Sequence, residues 1–275
     1  MDIQLRAGIF KEIVAFLRTK KFIILACVFI GIAIFYPLMI RGLSMLMYAM
    51  SDIYEEMGMD ITVMTAELTS TASIGVTNAV SGLTGIGLLV FLLLINSFAG
   101  GEQKHRSIII PQSSGLEVFN YLLPKFIIFP LAIYVFTLVG VIVSSGVSGM
   151  VFDYNDVIGE NVAVAAAIAG LYNMLYVCLH LTLGTTTGKA GMSAAICIVA
   201  SFILPEIFMI VDTVPAYNPL TMNITAVMIA AGSEIRSGLF AGVVITVFIM
   251  VAVFLIALFV HSAKKVDNKG NEIII

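Results

Sequence analysis

Three groups of residues in this 275-residue chain carry side chains that could do chemistry. The run Gly184-Thr185-Thr186-Thr187-Gly188-Lys189-Ala190 has the glycines, hydroxyls and lysine of a phosphate-cradling loop. That chemistry needs four residues between the glycines and a hydroxyl directly after the lysine, so that backbone N–H groups wrap the phosphates and the hydroxyl reaches Mg²⁺. Here three residues separate the glycines and Ala190 follows Lys189, so the spacing fails. Ser148, within Gly146-Val147-Ser148-Gly149, and His180 are the types of a nucleophile and its base. Such a pair must meet within hydrogen-bond reach. Glu206, within Leu204-Pro205-Glu206, could relay an ion if other acidic or basic groups stood near it. Cys27, Cys178 and Cys197 form no CxxC or Cys/His cluster, and the spacing points to apolar thiols and to no metal site.

The elements that must position these residues are hydrophobic. With 60% hydrophobic and 11% charged residues, the chain lies far from the ~45–50% and ~25% of a soluble domain. Spans are expected at 22–40, 74–98, 126–152, 161–187, 192–211 and 239–261, each close to the ~20 apolar residues that cross ~30 Å of hydrocarbon as a helix. Strands would alternate, whereas Leu88 to Leu94 is continuously apolar. The fold class is therefore an all-α membrane protein of six helices in one domain, 1–275. On helices, Ser148 falls near one end of span three, and His180 lies roughly 28 Å from the start of span four on that same side. The pair cannot meet. Nor does any span give Glu206 a charged partner.

Lys and Arg are in excess on the cytoplasmic side of membrane proteins. Twelve of the fourteen fall in one set of segments: Arg6, Lys11, Arg18, Lys20 and Lys21; Lys104, Arg106 and Lys125; Lys189; Lys264, Lys265 and Lys269. The opposite loops hold Arg41 and Arg236 among acids such as Asp52, Glu55, Asp60, Asp153, Asp156 and Glu234. Both termini are expected in the cytoplasm, with no removable signal peptide. The net charge of −3 says little, because the signal is the sidedness of the charge and not its total, and nucleic acid is not an expected partner.

Residues 1–21 read as an interfacial helix, with Ile3, Ile9, Phe10, Ile13, Val14 and Leu17 facing lipid and Arg6, Lys11 and Arg18 opposite. It is either a plain anchor or a coupling element. The loop 100–125 runs Gly100-Gly101-Glu102-Gln103-Lys104-His105-Arg106-Ser107, then Ile108-Ile109-Ile110-Pro111; Ser114 and Glu117 have capping-box spacing for a helix through Val118, Phe119, Leu122 and Leu123. It is either a solvated hairpin or a contact surface for a cytoplasmic subunit. The segment 212–238 holds Pro215, Pro219 and an apolar run too short to cross, which suits a re-entrant or interfacial helix. The sequon Asn223-Ile224-Thr225 matches by chance, and 41–73 reads as an acidic, Met-rich outer cap. In span two, Asn78, Ser81 and Thr84 stand among glycines: close packing and a substrate path are both open readings.

This layout resembles the permease subunit of an ABC transporter of the ABC-2 class, the type V exporter fold. The resemblance covers nearly the whole chain: an N-terminal amphipathic elbow helix, six spans, a cytoplasmic coupling helix and an outer re-entrant hairpin before the last span. Glu102, Pro111 and Lys125 stand where such permeases carry Glu, Pro and Lys, and Ser107-Ile108 stands where Gly-Thr is usual. The resemblance implies two separate ATP-binding subunits that carry ATP and Mg²⁺, a second permease copy or paralogue, surrounding membrane lipid, and a location in a bacterial cell membrane. It implies docking by Gly101, Glu102, Lys104, Arg106, Ile108, Ile109 and Pro111, no catalytic site on this chain, and export of hydrophobic or amphipathic peptides or related antimicrobial compounds. The rival classes are an ion-coupled secondary transporter, which calls for inverted repeats and intramembrane charge, and a noncatalytic membrane scaffold.

Overall fold

The computed structural model describes residues 3–50, 71–101, 117–152, 156–210, 218–234, 238–266 and 272–274. Helix α1 (Ile3–Arg18) is followed by α2 (Lys21–Ala49), with a break between them at Lys20, whose φ of 57° is left-handed. Next come α3 (Ala72–Gly100), α4 (Val118–Val151), α5 (Gly159–Thr187), α6 (Ala190–Ile210), the short α7 (Met222–Ala230) and α8 (Leu239–Ser262). Six of these, α2 to α6 and α8, are long and apolar enough to cross a membrane. The chain is a multi-pass membrane protein. After α8, the tail pairs Lys264–Val266 with Glu272–Ile274 as a short antiparallel ribbon, so the described fold is helical except there.

Alternating crossings give the bundle two ends. One gathers the starts of α2, α4 and α6 and the finishes of α3, α5 and α8; it carries Lys21, Lys125 and Lys189 and is called here the lysine end. The other carries Asp156 in the α4–α5 connection.

Helix α5 forms the centre. Two-thirds of its most apolar stretch (67%) is buried inside the protein, against 17% for α8. It packs on α4, α6, α7 and α8, with Tyr172, Tyr176 and Leu181 buried among Leu83, Phe91, Phe129 and Ile133. By contrast α8 presents Phe240, Phe248 and Phe259 outward, the side chains expected of a helix whose solvent is lipid. Helix α7 is covered: Met222, Ala226 and Ile229 are buried where it packs on α3 and α5.

Two wide π turns interrupt α3, at Leu83–Gly87 and Ser97–Gly101. The first sits where α2 crosses: a Cβ on Gly82 would overlap the ring of Tyr36. Such turns free backbone groups for side-chain partners and recur at functional positions.

Several boundaries differ from the expectations. Helix α2 continues through Arg41 to Ala49, so the loop expected from residue 41 begins later. The helix expected to start at Ser114 is no separate element where it is described, because Val118 runs without a break into the span through Pro124 and Pro130. Spanning helices accept proline where neighbours satisfy the freed carbonyls. In α1 the arrangement around the helix differs from the expectation. The buried residues are Glu12 and Phe16, with Gly8 against Pro124, while Phe10, Ile13 and Leu17 point outward in line with exposed Arg6. The expectation placed Arg6 opposite that stripe; its spacing of four, three and four residues puts it on the same face.

Candidate functional site

The lysine end concentrates the polar organisation of the molecule. Lys125, in the second turn of α4, has no exposed surface (0%), and Glu12 of α1 is 3% exposed. These are the two formally charged side chains buried among the described residues. Lys125 Nζ donates to the Phe98 carbonyl at 2.9 Å, lies 3.6 Å from Glu12 Oε1 and sits 4.9 Å from the centre of the Tyr121 ring. Tyr121 stacks on His261 at the end of α8, with centroids 5.7 Å apart. One ammonium thus touches α1, the end of α3 and the start of α4, and reaches α8 through a ring. Glu12 Oε1 also lies 3.5 Å from Lys11 Nζ, whereas Oε2 is buried without a hydrogen bond among the described residues.

Lys21 approaches the same segment from α2. Its Nζ donates to the Leu94 carbonyl at 2.7 Å and to the Ser97 hydroxyl, and it lies 4.6 Å from the Phe98 ring. The last turn of α3 is therefore held between two lysines, each taking a backbone carbonyl near the irregular Ser97–Gly101 turn. Residues 102–116 follow that turn directly. The expected docking residues Glu102, Lys104, Arg106, Ile108, Ile109 and Pro111 lie outside the described residues, as do 51–70 and most of the connection before α7; Gly101 ends the turn.

Beside this turn lies a cleft of about 480 Å³, lined by Asn96, Ser97, Gly100, Gly188, Lys189 and Ala190 among others. The phosphate-loop look-alike forms one wall. Its hydroxyls are committed to their own helix: Thr185 donates to the Leu181 carbonyl at 2.7 Å, Thr186 to Thr182 at 2.7 Å, and Thr187 to Leu183. Gly188 closes α5 in a left-handed cap (φ 68°), and exposed Lys189 stands at the rim. The walls touch closely: a Cβ on Gly100 would stand 2.8 Å from the Gly184 carbonyl oxygen.

Within the bundle, the expected path residues separate. Ser81 is exposed and Asn78 half-buried, its Nδ2 donating to the Ile74 carbonyl at 2.9 Å; Thr84 is buried and bonded to the Val80 carbonyl at 3.0 Å. The buried side of α3 meets a polar seam. Asn173 of α5 donates to the Thr137 hydroxyl at 2.9 Å and to the Leu83 carbonyl, at the π turn, at 3.4 Å. Ser144 and Ser148 continue the seam along α4, both fully buried with hydroxyls that find no partner among the described residues. His180 lies far from Ser148, as its level on α5 requires. Its Nδ1 is instead 2.9 Å from the Ser193 hydroxyl, which also bonds the His180 carbonyl at 2.8 Å. Both residues are buried, and this pairing of a hydroxyl with an imidazole ties α5 to α6. Glu206 is exposed on α6.

At the opposite end, Asp156 caps α3. Its carboxylate accepts from the Ser73 N–H at 2.8 Å and the Ser73 hydroxyl at 2.6 Å. Burial alone would raise its pKa, but the hydrogen bonds from Ser73 and Thr71 and from its own backbone outweigh that and hold it below the usual value.

No three His, Cys, Asp or Glu side chains among the described residues gather as metal ligands. Glu12, Asn173, Ser193 and Asp156 were not singled out from the sequence. Glu12 alone left a trace there, an acid on the small-residue side of an amphipathic helix. Comparison with protein-family models, curated proteins and solved structures gives no match to this chain.

Proposed function

We propose that this chain is the transmembrane permease subunit of an ATP-driven exporter of the ABC-2 class, working with two separate ATP-binding subunits and a second permease copy or paralogue. The observation that carries the reading is the construction of the lysine end. The segment 102–116 leaves a turn of α3 that Lys21 and Lys125 grip from two other helices, and Lys125 extends that grip to α1 through Glu12. A force applied to 102–116 would reach α1, α2, α4 and α8 within a few ångströms. On this reading the lysine end is cytoplasmic, in line with the excess of Lys and Arg there. Glu102 and Arg106 would meet the ATP-binding subunits, and ATP and Mg²⁺ would belong to those subunits. The half-exposed polar side of α3, with Thr77, Asn78 and Ser81, would face the path between two permeases, while Thr84 packs inward. Hydrophobic or amphipathic peptides are the cargo such a weakly polar, uncharged face suits.

Affinity purification of the full chain from its native membrane tests this. Co-purification of an ATP-binding protein, lost in the double variant Glu102→Ala/Arg106→Ala, supports it. A chain that purifies alone and moves solute in vesicles under an ion gradient refutes it.

A further inference from the structure

The buried pair Glu12–Lys125 is built unlike a permanent structural tie. A buried ion pair offsets the cost of desolvation only when its contact is close and the remaining polar atoms are hydrogen-bonded. Charge-assisted N–H···O⁻ bonds run at about 2.7–2.9 Å, yet here the ammonium keeps 2.9 Å for the neutral Phe98 carbonyl and stands 3.6 Å from the carboxylate. Glu12 Oε2 accepts no hydrogen bond among the described residues although the side chain is 97% buried. Beyond Glu12, the helix meets α4 through a few side chains: Asn120 Nδ2 donates to Gln4 Oε1 at 3.1 Å, and Phe16 is buried in the core. Gly8 rests on Pro124, Phe16 meets Phe22 and Phe129 edge-on, and the stripe Arg6, Phe10, Ile13 and Leu17 faces away from the protein. Gly8 also sets how close α1 can come: a Cβ there would lie 2.9 Å from Pro124 Cγ and 3.1 Å from the Asn120 carbonyl oxygen.

We infer that Glu12 and Lys125 form a charge latch that holds α1 against α4 in one state and releases it in another. Lys125 is the pivot, because another of its partners, the Phe98 carbonyl, lies three residues before Gly101. Movement of the α3 end draws that carbonyl away or toward the ammonium and so alters the grip on Glu12. In the released state, α1 shifts outward along the interface that its Arg6–Leu17 stripe already faces, and the carboxylate gains water. Glu12 and Lys125 are positioning residues on this account: they touch no cargo. The inference rests on the proposed function, since it needs a partner that moves 102–116.

The test measures the α1–α4 distance with spin labels on Phe10→Cys and Leu131→Cys, both exposed positions, in the full chain in lipid nanodiscs with Cys27→Ser. Glu12→Gln removes the charge and keeps the shape, and Gly8→Ala wedges the contact without touching a charge. Both variants are expected to raise the ratio of a longer-distance population about tenfold without nucleotide, and ATP with vanadate is expected to populate that same distance in the wild-type chain bound to its ATP-binding partner. The latch is overturned if both variants keep the wild-type distribution, or if the wild-type complex never visits the distance they favour. If no ATP-binding protein co-purifies, the proposed function fails on its own, and the two variants still report whether the latch exists.

Discussion

Replacing Tyr172 with Phe removes one oxygen from the centre of the bundle, and the consequence follows from a proline on the neighbouring helix. Pro205 interrupts α6 and offers no N–H to the carbonyl four residues earlier, that of Ser201. The Tyr172 hydroxyl fills the gap, donating to that carbonyl at 2.8 Å from a side chain with no exposed surface. Tyr172→Phe keeps the ring, its packing and its contact with Tyr176, so the loss is one hydrogen bond and a stranded carbonyl. Stranding a buried polar group costs about 1–3 kcal/mol, whereas interhelical hydrogen bonds in membranes average about 0.6 and reach about 1.7 kcal/mol. A destabilisation of about 1–2 kcal/mol is expected. At about 2–4 °C per kcal/mol for a chain of this size, the midpoint falls by about 2–8 °C.

The chain supplies its own reporter, because Cys178 and Cys197 are buried and Cys27 is exposed. In a Cys27→Ser background, a thiol-reactive fluorogenic dye lights up only as the bundle opens, and its temperature profile gives the midpoint. The decisive variant is the double one. Pro205→Ala returns an N–H to the Ser201 carbonyl, so Tyr172→Phe should cost less than half as much beside Pro205→Ala as beside Pro205. Equal costs in the two backgrounds, or no cost in either, would show that the tyrosine does not substitute for the missing helix hydrogen bond.

The remaining expectations read other contacts by the same dye. Asp156→Asn should lower stability by about 0.3–1 kcal/mol at neutral pH, the worth of a negative charge at a helix N-terminus. Because the folded pKa of Asp156 lies below 3.8, its contribution is complete above that value and is lost as pH falls through the folded pKa. The wild-type and Asp156→Asn midpoints should therefore stay apart down to the ordinary carboxylate range and converge only as the pH falls through the folded pKa. Gly100→Ala should destabilise by about 1–3 kcal/mol, since its Cβ meets backbone atoms of Gly184 and Ala190 at 2.8 and 3.2 Å. Gly31→Ala, with open space around it, should be neutral or stabilising by up to about 1 kcal/mol. Ser144→Ala and Ser148→Ala should each hold or raise the midpoint, because both hydroxyls are buried without a partner among the described residues; a drop of several degrees would refute this.

How far the sequence reaches depends on whether a feature is one-dimensional. Six crossings are legible because a run of ~18 or more apolar residues without charge is a property of neighbours along the chain. The position of a side chain around its helix is also legible in principle, and grouping Asn78, Ser81 and Thr84 by composition overlooked it: Asn78 and Thr84 stand about 120° apart on an α-helix, and the structure leaves Asn78 half-buried and buries Thr84. What no run or rotation can show is which helices meet. Glu12 and Lys125 are far apart in the chain, and each alone reads as a surface charge of a basic end; only the fold of α1 back onto α4 turns them into a buried pair. Asn173 is equally silent in the sequence, because the carbonyl it reaches belongs to a π turn set by the crossing of α2 over Gly82. The residues best hidden from sequence reasoning are thus those whose partners depend on irregular backbone. They stand at the two wide turns of α3, where the bundle departs from regular helix geometry, and the turn at Ser97–Gly101 is the one that leads into 102–116.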